Sequence, residues 1–105
     1  MSCGQMYKSL FSRQAKKDAA NIQSSGLRGQ VEDIIETVER NPFEHSQSFE
    51  ELKGRLKGKY SRRISKKHRF VYEIRPNTDN HLNDNGVSYK GIVWVLTMWT
   101  HYERL

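Results

Sequence analysis

Apolar residues recur along this chain with two different periods, and the change of period divides it. Ala15, Ala19 and Ile22 stand at i, i+4 and i+7, the spacing of one face of a helix. Ser12 lies just ahead of them as an N-cap. Ser24-Ser25-Gly26 interrupts the pattern, and a second stripe follows: Leu27, Val31, Ile34, Ile35 and Val38. Pro42 ends it, because the residue before a proline is pushed out of helical geometry. The two amphipathic segments predict an αα-hairpin.

Beyond a polar linker, His45 to Ser48, the period shortens to two. Lys59 to Ser65 and Arg69 to Arg75 read as strands joined by a tight turn at Lys66-Lys67. In the second, Phe70, Tyr72 and Ile74 share one face, and Arg69, Val71, Glu73 and Arg75 share the other. Pro76 to Lys90 is rich in Asn, Asp and Gly and predicts a loop. Ile92 to Trp99 is almost continuously apolar, as expected of a central strand covered on both faces. Met6 to Phe11, short and partly aromatic, supplies a first strand. The order β-α-α-β-β-β predicts one α+β domain over residues 1–105: an antiparallel twisted sheet with the αα-hairpin packed on one face.

Charge adds a partner class to this outline. The 105 residues carry a formal charge of +6, with a pI of about 9.6. Such a balance favours a polyanion such as nucleic acid, the ribosome or an anionic membrane surface. Seven acids and one base lie between Val31 and Glu51, whereas ten Lys or Arg and one acid lie between Lys53 and Arg75. An acidic helix followed by a basic sheet region implies one basic face. No long apolar run or signal peptide is present, so membrane insertion is not expected. The single Cys3 cannot form an internal disulfide, which fits a reducing cytoplasm.

Four residues stand out as candidate chemistry: Glu50, Arg69, His101 and Tyr102. Each has an ordinary reading as a solvated or sheet-capping group. Together they match the needs of metal-free RNA cleavage: a base for the 2′-OH proton, an acid for the 5′-O leaving group, and a cation for the phosphorane charge. Tyr102 suits stacking on a base or steadying His101. Spacing alone leaves open whether these groups converge, and whether Glu50 or its neighbour Glu51 is the carboxylate. The four histidines are dispersed, with no CxxC, so neither a metal site nor a cofactor is expected. No phosphate-binding glycine loop occurs. A basic module that grips RNA or ribosome without cutting it remains the alternative.

The segment NPFEHSQSFEELKGRLKGKYSRRISKKHRFVYEI, followed by a late strand and His101-Tyr102, resembles the YoeB (Txe) branch of the RelE-type bacterial toxins. The likeness rests on Pro42-Phe43-Glu44, Glu50 with Leu52-Lys53, Ser61-Arg62-Arg63-Ile64, His68-Arg69 with Val71-Tyr72, and the terminal pair. It implies a ribosome-dependent mRNA endonuclease working in the ribosomal A site, silenced by a cognate acidic antitoxin. DNA would be met only indirectly, through the antitoxin complex, and a homodimer is compatible. The resemblance places Glu50 on the family's catalytic glutamate, Arg69 on its phosphate-stabilising arginine, His101 on its acid–base histidine, and Tyr102 beside it. Lys53 and Arg63 match the family's basic positions near the RNA, and Arg62 beside them is also expected to face RNA. Two features depart from the family: the long loop from Pro76 to Lys90, and Glu103-Arg104-Leu105 past the usual end.

Overall fold

The computed structural model describes residues 6–99. Strand β1 (Tyr7–Phe11) leads into helix α1 (Arg13–Ser25) and helix α2 (Arg28–Arg40). A two-residue strand β2 (Glu50–Glu51) and a 3₁₀ turn (Gly54–Leu56) precede β3 (Lys59–Arg63), β4 (Arg69–Arg75) and β5 (Gly91–Thr97). The five strands form one sheet in the order β1-β5-β4-β3-β2. The expected α+β architecture is present, and the sheet is mostly antiparallel. The exception is β1, which runs parallel to β5, with Tyr7 opposite Gly91 and Phe11 opposite Val95. The helical hairpin between them supplies the long crossover that a parallel pair requires.

Local chemistry sets the helix limits. The Ser12 hydroxyl accepts from the Ala15 amide at 3.0 Å and donates to the Leu96 carbonyl at 2.8 Å. One side chain therefore caps α1 and ties it to β5. Gly26 closes α1 in the left-handed region, at φ 80°, where a side chain would be strained. Asn41 closes α2 with extended backbone ahead of Pro42.

The helices cover one face of the sheet. Ile22, Val31, Ile34 and Val38 pack there against Phe70, Tyr72, Val93 and Val95. The stripe of α1 differs from expectation at one position: Ala19 is exposed and Asp18 is buried. Asp18 accepts from the Gln14 side chain (2.9 Å), the Thr97 hydroxyl (2.8 Å) and the Met98 amide (2.9 Å). A buried carboxylate is tolerated when hydrogen-bonded in this way, and here it anchors the end of β5.

The opposite face of the sheet is not covered by helices. Strand alternation and pairing set its side chains in rows: Lys8, Ile92 and Arg75; then Leu10, Trp94, Glu73 and Lys59; then Val71, Ser61 and Glu50; then Arg69 and Arg63. Same-face rows lie about 6.6 Å apart along a strand. The segment 76–90 is a loop, as its composition predicts, but an ordered one that bridges Leu82 to Ser88 and folds back towards this face.

Candidate active site on the open sheet face

One ion pair on the open face joins two expected site residues. Arg69 Nη2 donates to Glu50 Oε1 at 3.2 Å. Edge-strand alternation turns Glu50 and Glu51 to opposite sides, so Glu50 is the carboxylate aimed at Arg69. Glu50 is about half exposed and Arg69 only 18% exposed at the side chain. A partly exposed pair of this kind adds little stability. Its consequence is orientation: the guanidinium is held at the sheet surface beside an accessible carboxylate.

Two polar atoms at this corner are buried yet meet no acceptor or donor among the described residues: Arg69 Nη1 and Ser61 Oγ. Ser61 lies directly opposite both Glu50 and Val71 in the ladder. A desolvated guanidinium nitrogen with an unused donor is unfavourable in the isolated protein. Arg63, exposed and opposite Arg69, adds a second cation to the row. Lys53, also exposed, lines a groove of about 650 Å³ with Phe49, Glu50 and Leu56.

Arg62 does not join this surface. It is completely buried, which corrects its expected place among RNA-facing residues. Its Nε donates to the Tyr72 hydroxyl (3.0 Å), Nη1 to the Ser46 carbonyl (2.9 Å) and Nη2 to the Pro42 carbonyl (3.0 Å). Tyr72 in turn donates to the Pro42 carbonyl at 2.6 Å. The guanidinium also lies 4.7 Å from the Phe49 ring centre. Alternation explains the difference: Arg62 shares its face with Phe70 and Tyr72, on the far side of β3 from Arg63.

The loop delivering Glu50 is thereby clamped along its length. Pro42 and Ser46 are held by Arg62, Gln47 accepts from the Arg63 amide at 2.8 Å, and Phe49 stacks on Tyr60. Gln47 and Ser48 both adopt positive φ, 52° and 55°, a conformation that persists only where surroundings over-determine it. Burial pushes the Tyr72 hydroxyl up to about 12, against the smaller opposing pull of the Arg62 charge.

At the other side of Arg69, the Trp99 ring stacks on His68 with centres 4.1 Å apart. Trp99, two residues past β5, is therefore anchored beside the residue preceding Arg69. His101 and Tyr102 lie outside the described residues. Among those described, Glu50 and Arg69 are brought together, Arg63 and Lys53 flank them, and no group of three His, Cys, Asp or Glu side chains is placed to hold a metal. No described helix is long and apolar enough to cross a membrane.

Comparison with known proteins decides the family. The model of the YoeB-like toxins of bacterial type II toxin–antitoxin systems matches residues 11–86, well over half of the chain. The chain belongs to that family. A YoeB toxin of Escherichia coli O6:H1 is 42% identical over 52 residues, which is 50% of this chain and 58% of the relative. A YoeB/ParE toxin from Agrobacterium tumefaciens superposes with a TM-score of 0.73 at 26% identity, covering 90% of this chain and 99% of the other. YoeB in its heterotetrameric complex with YefM from Staphylococcus aureus gives 0.66 at 27% identity, covering 91% and 98%. The YoeB-like fold thus accounts for the layout of sheet and hairpin over nearly the whole chain.

Three structural features escape a reading by composition. Asp18 could be found as a charge inside an apolar stripe, three residues after Ala15 and four before Ile22. Arg62 is distinguishable from Arg63 only through strand phase. The His68–Trp99 stack joins positions 31 residues apart and has no local signal.

Proposed function

We propose that this protein is a toxin that cleaves mRNA on the ribosome, without a metal, by attack of a ribose 2′-OH on the adjacent phosphate. The observation that carries the reading is the Glu50–Arg69 pair on an open sheet corner, with Arg69 Nη1 buried and lacking an acceptor among the described residues. Glu50 takes the 2′-OH proton while the oxygen attacks phosphorus. Arg69, with Arg63 behind it, stabilises the negative charge that builds on the phosphorane. His101 gives its proton to the departing 5′-O, leaving a 2′,3′-cyclic phosphate and a 5′-hydroxyl. It follows Trp99 by two residues, a reach of about 7 Å at most. Tyr102 stacks on a neighbouring base or steadies the imidazole. Lys53 holds the phosphate backbone in the groove beside Glu50.

The dense basic segment between Lys53 and Arg75 also suits a cognate acidic antitoxin, which would cover this corner and silence it. The setting is the cytoplasm, where ribosomes and such a partner meet. The test is ribosome-dependent primer extension on the intact protein and on Glu50→Gln, Arg69→Ala and His101→Ala. Each should fold and bind ribosomes yet cut about 10²- to 10⁴-fold more slowly. An mRNA with 2′-deoxyribose at the cut site should survive. Cleavage of the deoxy substrate would refute the mechanism, and uniformly mild variants would leave a binder instead of an enzyme.

A further inference from the structure

A second constructed feature lies on the same open face, at the opposite end of the sheet. The Arg75 guanidinium lies 4.5 Å from the Trp94 ring centre, and the Lys8 ammonium 5.7 Å from that of Tyr89. Lys8 and Arg75 both stand opposite Ile92, from its two sides, so the two cations occupy one row across three strands. Below them, Trp94 is flanked by Leu10 and by Glu73, whose carboxylate accepts from Arg75 Nε at 2.5 Å and lies 3.7 Å from the Lys59 ammonium. Segment 76–90 overhangs these rows and leaves a cleft of about 200 Å³ between Trp94, Leu10 and Arg75 on the floor and Pro76, Asp79 and His81 on the loop.

The overhang is prebuilt. The Asn77 side chain donates to the His81 and Tyr89 carbonyls, each at 3.0 Å, and accepts from the His81 amide at 2.9 Å. The Tyr89 amide donates to the His81 carbonyl at 3.1 Å. A ligand entering the cleft therefore meets an ordered wall and does not have to organise the loop.

We propose that this cleft is a base-stacking subsite for the mRNA strand, with Trp94 the platform and Arg75 and Lys8 the phosphate contacts. The proposal rests on the ribonuclease reading above and extends its substrate track across the sheet. Aromatic rings beside exposed cations are the elements by which single-stranded nucleic acid is held: the π-face takes a base and the cation its backbone. The cleft is small, which suits one ring system. Glu73, opposite Trp94, lies four residues along β4 from Arg69, or about 13 Å, so one strand can reach both ends of the face.

The test compares the intact protein with Trp94→Ala, Trp94→Phe and Arg75→Gln on ribosome-bound mRNA. One message is natural, and others carry a single abasic ribose at successive positions flanking the cut. Trp94→Ala should raise KM about 5- to 100-fold, the weight of one stacked base, with kcat nearly unchanged. Trp94→Phe should retain most of the affinity. At one flanking position the abasic message should impair the intact protein and leave Trp94→Ala no worse. If no abasic position distinguishes the two proteins, the subsite is refuted while the ribonuclease reading stands. If the intact protein cuts nothing, that reading fails, and the cleft is judged by tryptophan emission. Quenching by a base-bearing oligoribonucleotide but not by its abasic counterpart, lost in Trp94→Ala, supports it. Equal emission with both overturns it. Should Trp94→Ala misfold by circular dichroism, Arg75→Gln carries the same comparison, with a smaller expected rise in KM.

Discussion

Replacing Tyr72 by phenylalanine tests the clamp beneath Glu50, and the structure sets both sign and size. Tyr72 is fully buried, and its hydroxyl pKa stands near 12 against an ordinary value of 10.0. Because the folded value is the higher one, the neutral phenol's stabilising share is complete below pH 10 and is lost as pH rises through 12. For a two-unit difference the loss is about 1.4 kcal/mol at pH 11 and about 2.3 kcal/mol at pH 12. A phenyl ring has no such proton to lose, so this part of the alkaline decline should vanish in the Tyr72→Phe variant. At pH 8 the variant should be less stable by about 1–3 kcal/mol, since Arg62 Nε then lacks its acceptor while Pro42 keeps its bond from Nη2. Urea unfolding of both proteins at pH 8, 10 and 11, followed by circular dichroism, measures the gap directly. Everything outside position 72 is common to both proteins and cancels in the difference. The gap should shrink by about 1.4 kcal/mol between pH 8 and 11. A constant gap would mean that the phenol is not desolvated in the way described, and the account of the clamp would fail.

Three further outcomes are expected. Asp18→Ala should lower stability by about 2–4 kcal/mol, because it strands the buried Thr97 hydroxyl and Met98 amide together, and hydrogen exchange should speed at Met98 before the rest of β5. Gly91→Ala should be destabilising by about 1–3 kcal/mol in thermal melts, because its new methyl would meet the Tyr7 ring at 3.0 Å and the Arg75 carbonyl at 3.3 Å. Glu50→Gln should reduce ribosome-dependent cleavage much more than Glu51→Gln in a side-by-side primer-extension assay, because only Glu50 faces Arg69; equal losses would contradict that orientation.

Periodicity carries most of the fold. The α2 stripe, the two-faced β4 and the apolar β5 all stand where their patterns put them, because each element buries a continuous face whose spacing is written locally. Pairing across the sheet is a different kind of information. Nothing in Met6 to Phe11 states that β1 will run parallel to the last strand, since that depends on an edge created about 80 residues later. The same limit applies at the site. Glu50 and Arg69 are legible as types, and their contact arises only when β2 and β4 flank β3. Arg62 is misplaced by composition because density of charge says nothing about phase, and a one-residue shift along a strand exchanges solvent for core. Asp18 escapes because the nearest alanine completes an apolar stripe on paper, where the fold needs an acceptor for a strand end.

The parallel pairing of β1 with β5 also bears on when the protein can fold. Among the described residues, strand β1 has one neighbour in the sheet, and that neighbour is the last of the five strands in chain order. The Ser12 cap bonds and the Asp18 anchor likewise reach from α1 to residues 96–98. A nascent chain with residues 7–90 complete still has an unpaired first strand, a helix lacking its tie, and β4 open along one edge. Closure over such sequence distances is slow and comes late. In a protein proposed to attack ribosomes, the sheet therefore stays open until β5 has been made, and the interval between synthesis of β1 and that closure is one in which an antitoxin would meet it unarmed.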